Sequence, residues 1–325
     1  MTSMLKKKIL ITGVHGFIGH ALWQYLHKKQ KNFEIFGLTS QEFSASGRLL
    51  HCDLRFPDKI KSALQRIRPD YIFHFAGGRS KNQKEQIRLN CRLTKNLFET
   101  IKTIKNFSPR IIVPGSAAEY GIPKAGRLIQ ENDPLHPVSA YGKAKRRQTQ
   151  MVLQYARQGF DVIIARIFNI LGEGTPARLA AGNFACQIAM IEKRQRQPVI
   201  QTESLAGGRD FLDIEDICAA VFCLMKDGKS GEIYNICSGK KIVTRELLKR
   251  LRALSKVKNI TTQENETKNS SAFDVIGSNA KIKLLKRWRP KVSLEQSLRN
   301  TLETYRSSAK GGSLPDRQAG ASGGQ

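Results

Sequence analysis

Residues 8–19 read KILITGVHGFIG, and this segment gives the strongest indication of the fold. The β-branched run Lys8–Thr12 predicts a strand, and apolar residues at helical spacing predict a helix over Phe17–Gln30. Between them lies a G-x-x-G-x-x-G loop, one residue longer than the G-x-G-x-x-G spacing of dinucleotide-binding loops. Small residues at such a place let backbone N–H groups approach a pyrophosphate at the amino end of a helix.

We therefore expect this loop to bind the diphosphate of a dinucleotide. A plain strand-to-helix turn is the alternative, and the strand before the loop and the helix after it count against that alternative. The expected cofactor-binding residues of the loop are Gly13, Gly16, Phe17, Ile18 and Gly19.

The rest of the chain alternates short β-branched runs with longer amphipathic stretches, as in a parallel sheet covered by helices. The further candidate strands are Glu34–Leu38, Tyr71–Phe75, Arg110–Pro114, Asp161–Ile167 and Glu232–Ile236. The further candidate helices are Asp58–Arg68, Ile87–Ile104 and Ala140–Gln158. This order predicts an α/β protein with a Rossmann-like doubly wound parallel sheet.

The regularity weakens after Ile170, which predicts a smaller α/β C-terminal substrate lobe. We expect residues 1–171 with about 210–239 to form the dinucleotide-binding domain, and about 172–209 with 240–306 to form the lobe. The Gly/Ser-rich residues 307–325 are expected to be a disordered tail. The segments predicted here are helices at Asn183–Lys193, Arg245–Leu254 and Leu294–Tyr305, a return to the main domain at Asp213–Met225, and a polar loop at Thr261–Ser271.

Composition excludes several classes of protein. The chain has 325 residues, of which 40% are hydrophobic and 25% charged, so it is neither a collagen nor wholly disordered. Because no apolar run reaches the ~18–20 residues that span a bilayer, we expect a soluble protein. The six cysteines form no C-x-x-C pair and have no histidines at zinc-ligand spacing, which predicts reduced, mostly buried thiols in a cytoplasmic protein and no metal site.

The formal net charge is +28, from 55 Lys+Arg and 27 Asp+Glu. A solvated basic surface is one interpretation, and a positive field that attracts nucleic acid or a phosphorylated small substrate is the other. Net charge alone does not separate these. Nucleic acid is the less favoured partner because few aromatic residues interleave with the basic clusters and no nucleic-acid motif surrounds them.

A tyrosine and a lysine in YGKAK, Tyr141 and Lys145, lie four residues apart and therefore face the same side of one predicted helix. A nearby ammonium stabilises phenolate over phenol, so the hydroxyl can exchange a proton with a carbonyl or alcohol oxygen. Ser116 follows the predicted strand Arg110–Pro114 and lies near its carboxyl end, where such sheets bind ligands. Such a Tyr/Lys pair is common by chance, but its order after the glycine loop and Ser116 favours an acid–base site.

The adenosine end of the predicted cofactor site is less decided. About 20 residues past the loop, where NAD-binding units place an acid, the chain reads GLTS over residues 37–40. Because this acid is absent and Arg48 is nearby, the sequence favours NADP(H) mildly over NAD(H). A solvated loop residue is the alternative interpretation of Arg48. Asp53, with Leu54 after it, is a candidate acceptor for the adenine amino group, and a turn or cap aspartate is the alternative.

The order of the glycine loop, Ser116, the Tyr141/Lys145 pair and a smaller C-terminal lobe resembles the extended short-chain dehydrogenases/reductases. The resemblance spans about Lys8 to Arg306. The motifs that resemble the nucleotide-sugar-modifying branch of this family are ARIFN from Ala165, FACQIA from Phe184, RDFLD from Arg209, GEIYNICSG from Gly231 and ELL from Glu246.

The resemblance implies that Tyr141 is a general acid, that Lys145 holds the nicotinamide ribose and tunes Tyr141, and that Ser116 hydrogen-bonds the reacting oxygen. It also implies that Asn169 and Arg209 contact the substrate's pyrophosphate; a structural salt bridge to an aspartate is the alternative for Arg209. The implied activity is NAD(P)H-dependent reduction of the 4-keto group of a nucleotide-activated deoxysugar, GDP-4-keto-6-deoxymannose first, for surface-polysaccharide supply. A homodimer is a further family expectation.

One departure from the family discriminates among its reactions. The resembling 4,6-dehydratases carry an acid two positions after the catalytic Ser/Thr, where this chain has Ala118, so dehydration is disfavoured. The neighbouring Glu119 would point elsewhere if the segment is extended. A nucleotide-sugar 4-epimerase needs no such acid and remains an alternative. The +28 charge alone supports a further alternative, a non-catalytic Rossmann-type module that binds RNA.

Overall fold

The computed structural model describes residues 6–41, 47–78, 82–124, 126–265, 273–285 and 288–308. The strands in these ranges are β1 (Lys7–Thr12), β2 (Phe33–Thr39), β3 (Leu49–His51), β4 (Tyr71–His74), β5 (Arg110–Ser116), β6 (Val162–Ile167), β7 (Asn169–Leu171), β8 (Val199–Thr202), β9 (Gly208–Arg209), β10 (Phe211–Asp213), β11 (Ile233–Ile236), β12 (Ile242–Val243) and β13 (Thr261–Glu264). The α-helices are α1 (Phe17–Lys29), α2 (Pro57–Ile67), α3 (Gln83–Ile87), α4 (Leu93–Lys102), α5 (Ala140–Arg157), α6 (Ala180–Glu192), α7 (Ile214–Asp227), α8 (Thr244–Ala253), α9 (Ala280–Lys283) and α10 (Leu294–Ser308).

Seven strands form one parallel sheet in the order β11-β6-β5-β4-β1-β2-β3. Strand β1 pairs with β2 on one side and β4 on the other, so the direction in which strands are added reverses at β1. Consecutive residues Ile9, Leu10 and Ile11 of β1 are all fully buried, as expected for a parallel strand covered on both faces. The predicted doubly wound α/β fold is confirmed.

Side chains of β1 alternate between two hydrophobic clusters, one on each face of the sheet. Ile9 and Ile11 pack in the cluster that contains residues of α1 and α7, including Leu22. Leu10 packs on the opposite face with residues of α2, α4 and α5, including Phe98. The period of two along an extended strand therefore explains why an uninterrupted apolar run is needed to hold helices on both faces.

A third cluster lies in the C-terminal half of the chain. It joins α6, α8 and α10 with β8 through residues that include Phe184, Leu247 and Leu302. The predicted loop over Thr261–Ser271 is wrong at its start, because Thr261–Glu264 forms β13 and pairs in parallel with β8. Pairing with an exposed strand edge outweighs the polar composition of this segment. Residues 266–271 lie outside the described residues. The predicted division of the chain into two domains stays a prediction.

The predicted helix Ile87–Ile104 is three consecutive elements. Helix α3 begins at Gln83, a π-helical turn spans Arg88–Arg92, and α4 ends at Lys102. In the π-helical turn the Asn90 Nδ2 donates to the Gln86 carbonyl, 2.9 Å away, and to the Gly78 carbonyl at the same distance. The π-helical turn thus directs the Asn90 side chain toward the segment that follows β4. Hydrophobic periodicity does not predict this orientation. The predicted disordered tail over residues 307–325 is wrong at its start, because α10 continues through Ser308; residues 309–325 lie outside the described residues.

The described cysteines are free thiols, and four of them, Cys52, Cys218, Cys223 and Cys237, are buried. Burial raises the pKa of the Cys52 thiol to about 11, so it stays protonated and unreactive at neutral pH. No helix in the described ranges combines the length and the apolar character needed to cross a membrane.

A buried carboxylate, Asp210, joins the end of β11 to the segment before α9. It accepts hydrogen bonds from the Ser238 N–H and hydroxyl at 2.7 Å, from the Gly239 N–H at 2.8 Å and from the Gly277 N–H at 3.3 Å. Burial raises the pKa of Asp210 to about 6, and these hydrogen bonds limit the rise. Four donors are therefore satisfied by one side chain at the centre of this junction.

We expect Asp210→Asn to lower the free energy of unfolding by about 2–4 kcal/mol, because the new NH₂ group faces buried donors and leaves them without an acceptor. Urea unfolding at pH 7 measures this. The matched control is Asp58→Asn in the exposed first turn of α2, expected to change stability by less than about 0.5 kcal/mol. Equal effects of the two substitutions would show that Asp210 does not hold the junction.

Candidate active site

An open cleft of about 2310 Å³ runs along the carboxyl ends of β1, β4, β5 and β6. Drug-sized ligands occupy roughly 300–1,000 Å³, so this cleft has room for more than one ligand. Its position agrees with the rule that open α/β sheets bind ligands where the strand order reverses, which here is at β1.

The glycine loop forms the floor of the cleft at the start of α1. Gly13 has φ +70°, and a Cβ on Gly19 would lie 2.2 Å from the Gly13 carbonyl oxygen. Helix α1 begins at Phe17, its N-cap residue Gly16 provides no side-chain hydrogen bond, and its first turn contains no acidic residue. The helix therefore presents its amino end to the cleft with neither a side-chain acceptor nor a negative charge in the way, which fits the diphosphate of a dinucleotide.

Ser116 ends β5 and lines the cleft. Its Oγ accepts a hydrogen bond from the Ala118 N–H at 3.2 Å, and its N–H donates to the Glu119 Oε1 at 2.7 Å. The two hydrogen bonds form a capping box at the start of the 3₁₀ turn Ala117–Glu119. Because the Ser116 oxygen acts as an acceptor toward the turn, its own hydrogen is available to a ligand.

Helix α5 brings Tyr141 and Lys145 to the same cleft. Ser139 caps the helix by accepting from the Gly142 N–H at 3.0 Å. A Cβ on Gly142 would lie 2.3 Å from the backbone oxygen of Ala118, so only glycine permits this approach. The first turn of α5, which carries Tyr141, therefore rests directly on the turn after Ser116. The three residues that the sequence predicts to act together line one cleft.

Lys145 is only 4% exposed, and its ammonium donates to the Gln148 Oε1 at 2.5 Å. Gln148 in turn donates to the Asn90 carbonyl and to the Thr94 Oγ1. Sequence reasoning missed Gln148, Asn90 and Thr94. The only available signal is spacing, since Gln148 is three residues after Lys145 and Thr94 is four after Asn90, on shared helix faces.

Asn169 and Arg209 also line the cleft. The Asn169 Nδ2 donates to the Asp210 carbonyl at 3.0 Å, and Arg209 donates to the Phe273 carbonyl at 2.6 Å. Burial lowers the pKa of Arg209, which stays a cation at neutral pH. Among the described residues no aspartate forms a salt bridge with Arg209, since the nearby Asp274 pairs with Lys241 at 2.5 Å.

Asp53 and Leu54 follow β3 and do not belong to the cleft lining. The Asp53 carboxylate accepts from the Arg55 N–H at 2.9 Å and from its guanidinium at 2.6 Å. Burial acts to raise the pKa of Asp53, but the hydrogen bonds and charge of Arg55 outweigh it and the pKa is lowered. Leu54 packs in the hydrophobic cluster on the α2 and α4 face.

Ala118 lines the cleft, while Glu119 points away from it. Glu119 is fully buried in an ion pair with Arg166 at 3.0 Å. The condition of an extended segment is not met, because the segment is a 3₁₀ turn, and the direction of Glu119 results from this ion pair and its hydrogen bond to the Ser116 N–H. In the part of the chain that the structure describes, no group of three or more His, Cys, Asp or Glu residues is placed to hold a metal ion.

Residues 9–237 match the NAD dependent epimerase/dehydratase family. GDP-6-deoxy-D-mannose reductase of Pseudomonas aeruginosa is 26% identical over 311 residues, which cover 93% of this chain and 98% of that protein. GDP-6-deoxy-D-talose 4-dehydrogenase of Aggregatibacter actinomycetemcomitans is 29% identical over 235 residues, which cover 71% of this chain and 74% of that protein.

The solved structure of RMD from Pseudomonas aeruginosa complexed with NADPH is similar to this chain with a TM-score of 0.82 and 26% identity, covering 93% of this chain and 99% of that one. UDP-glucose 4-epimerase of Thermotoga maritima with UDP-glucose has the same fold, with a TM-score of 0.80 and 21% identity over 93% of this chain and all of that one. These similarities and the family match over most of the sheet confirm the resemblance drawn from the motifs, and the chain belongs to the NAD dependent epimerase/dehydratase family.

Proposed function

We propose that this chain reduces the 4-keto group of a nucleotide-activated deoxysugar, with GDP-4-keto-6-deoxymannose as the first candidate and NAD(P)H as reductant. The observation that carries the proposal is that Ser116, Tyr141 and Lys145 line one cleft whose position for a dehydratase acid holds Ala118. Relatives named as a GDP-6-deoxy-D-mannose reductase and a GDP-6-deoxy-D-talose 4-dehydrogenase support the substrate class.

Reduction of a ketone builds negative charge on its oxygen, and the proposed roles of Ser116 and Tyr141 follow from that charge. A bound nicotinamide cofactor supplies the hydride. Ser116 donates its free hydrogen to the reacting oxygen, while Tyr141 donates the proton that completes the alcohol. Two donors aimed at this oxygen stabilise the transition state more than the ketone, and this difference accelerates the reaction.

Lys145 is assigned two tasks in this mechanism. Its ammonium holds the nicotinamide ribose, and its charge stabilises the phenolate left on Tyr141 after proton transfer. The near-complete burial of Lys145 supports the second task, because a charge shielded from water acts more strongly on a neighbour four residues away on the same helix.

The substrate's diphosphate is assigned to Asn169 and Arg209. The guanidinium of Arg209 suits a diphosphate because its donors form a planar fork. Its hydrogen bond to the Phe273 carbonyl, and its position 5.2 Å from the centre of the Phe273 ring, hold it at the cleft wall without neutralising its charge. The same cleft thus offers separate cationic and helix-terminal sites for two diphosphate groups.

For the cofactor, the glycine loop is assigned the diphosphate. Asp53 with Leu54 stays the candidate for the adenine, outside the cleft lining and with the Asp53 carboxylate also bonded to Arg55. We propose a mild preference for NADP(H) over NAD(H). Arg48 supports this preference, because its carbonyl accepts from the Gly37 N–H at 2.9 Å. This hydrogen bond places the exposed Arg48 beside β2, where the acid of NAD-binding units is missing.

We also propose that the enzyme is a cytoplasmic homodimer that supplies surface-polysaccharide precursors.

We expect Tyr141→Phe to lower kcat for reduction of GDP-4-keto-6-deoxymannose by at least about 100-fold, because the general acid is lost. Consumption of NADPH or NADH at 340 nm measures it. Tyr71→Phe, at the opposite end of the sheet, is the matched control and should retain activity. Unchanged turnover in the first variant rejects the mechanism. Interconversion of two sugars without net cofactor consumption identifies a 4-epimerase instead.

We expect Gly142→Ala to lower kcat/KM at least about 10-fold, because the added methyl group pushes α5, and with it Tyr141, away from the turn after Ser116. Gly47→Ala is the control, since a Cβ on Gly47 has no atom within 4 Å. Steady-state kinetics check the prediction, with the rate of each variant divided by its concentration of folded enzyme. Full activity in Gly142→Ala would mean that the helix contact does not place the acid.

We expect Arg48→Ala to reduce the ratio of NADPH affinity to NADH affinity by about 10-fold, the effect of losing one charge-assisted hydrogen bond. Tryptophan fluorescence titrations with each reduced cofactor measure the two dissociation constants. Arg66→Ala, an exposed arginine of α2, should leave the ratio unchanged. An unchanged ratio in Arg48→Ala removes this residue from cofactor selection.

A further inference from the structure

The buried ammonium of Lys145 has a neutral partner. Its Nζ donates to the Gln148 Oε1 at 2.5 Å, and among the described residues no carboxylate pairs with it. Removing an ammonium from water is costly unless hydrogen bonds replace its hydration. An uncharged acceptor replaces part of that hydration and leaves the positive charge of Lys145 uncompensated.

The orientation of the Gln148 amide is decided by its other contacts. Its Nε2 donates to the Asn90 carbonyl at 3.1 Å and to the Thr94 Oγ1 at 2.7 Å. A carbonyl can only accept, so the NH₂ group must face Asn90 and the oxygen must face Lys145. The amide therefore has one orientation available.

The hydrogen-bond chain continues to the start of the glycine loop. The Thr94 hydroxyl donates to the Asn90 carbonyl at 2.7 Å, so its lone pairs accept from Gln148 and from the His74 Nε2 at 3.0 Å. His74 is neutral, because burial and then the Lys145 charge lower its pKa to about 3. Its Nδ1 lies 2.9 Å from the Thr12 Oγ1, the residue before Gly13. A continuous chain of hydrogen bonds through Gln148, Thr94 and His74 therefore connects the Lys145 ammonium to the end of β1.

We propose that Gln148 is a positioning residue for Lys145: its amide holds the ammonium at the cleft wall through Asn90 and Thr94, and its neutrality leaves the full charge to act on Tyr141. This inference rests on the proposed function. Tyr141 lies one turn before Lys145 on the same helix. The titratable groups on which the Lys145 charge acts are His74 at the end of β4 and Cys91 in the π-helical turn, which Arg147 also approaches. None of these side chains is a carboxylate, so among the described residues the partner that decides whether the charge is offset is Gln148.

The test is Gln148→Glu, which keeps the shape and an oxygen toward Lys145, replaces the NH₂ donor that faces the Asn90 carbonyl by an acceptor, and adds a negative charge. Because the new carboxylate offsets the ammonium, phenolate on Tyr141 is less stabilised. In the alcohol-oxidation direction, where phenolate is the base, we expect the midpoint of the rising limb of the kcat profile to move up by about 1 pH unit. On the rising limb, at pH values well below the midpoint, kcat of the variant should be about 10-fold lower than that of the parent enzyme, with KM changed less than 2-fold.

Gln150→Glu is the matched control, because it makes the same charge change at an exposed position two residues away on the same helix. Its profile should match that of the parent enzyme. If the profiles of Gln148→Glu and the parent superimpose, or if both variants shift equally, the proposal is overturned. Loss of activity in Tyr141→Phe with no shift in Gln148→Glu rejects this proposal and leaves the proposed function standing.

A measurement on the unsubstituted enzyme covers the case in which Gln148→Glu does not fold. In a crystal structure with NADP⁺ bound, the Lys145 Nζ should remain within hydrogen-bonding distance of the Gln148 Oε1, about 3.2 Å or less. Separation of the two atoms beyond about 4 Å, with the ammonium paired to a carboxylate instead, overturns the proposal.

Discussion

The reversal of strand order at β1 is the constraint on which the rest of this structure depends. Helices that leave β1 and its neighbours on opposite sides cannot close over the carboxyl ends of the strands, so a crevice remains there. The crevice receives the amino end of α1 from one side and the first turn of α5 from the other. Both helices reach it through glycines, Gly19 and Gly142, whose neighbours are backbone oxygens that exclude any side chain.

Charge is managed differently at the walls and at the base of this crevice. Glu119 and Arg166 neutralise each other in the core beneath the turn after Ser116. Arg209 and Lys145, by contrast, are held by neutral acceptors, the Phe273 carbonyl and the Gln148 amide. Two cations whose charge is not offset by a bonded carboxylate suit a site for anionic ligands. They belong to the part of the +28 net charge that acts inside the cleft.

Local sequence predicted six of the seven strands of the main sheet, all but β3, and the three residues assigned to catalysis. Strands such as Lys7–Thr12 and helices such as Ala140–Arg157 are long and strongly periodic, so their hydrophobic pattern outweighs competing local preferences. Two- to four-residue strands such as β9, β12 and β13 carry no usable period. They exist because a partner strand offers unpaired backbone groups, which is a property of the assembled chain.

By itself, the sequence determined that a glycine loop begins the first helix and that Tyr141 and Lys145 share one face of another, because both follow from spacing along a few turns of chain. Only the tertiary structure decided that Glu119 turns inward to Arg166, that Asp53 pairs with Arg55 away from the cleft lining, and that Gln148 is the acceptor for Lys145. These outcomes depend on which polar group lies nearest after folding. A buried charge takes the partner that the surrounding elements bring within hydrogen-bonding distance, and no local pattern records that distance.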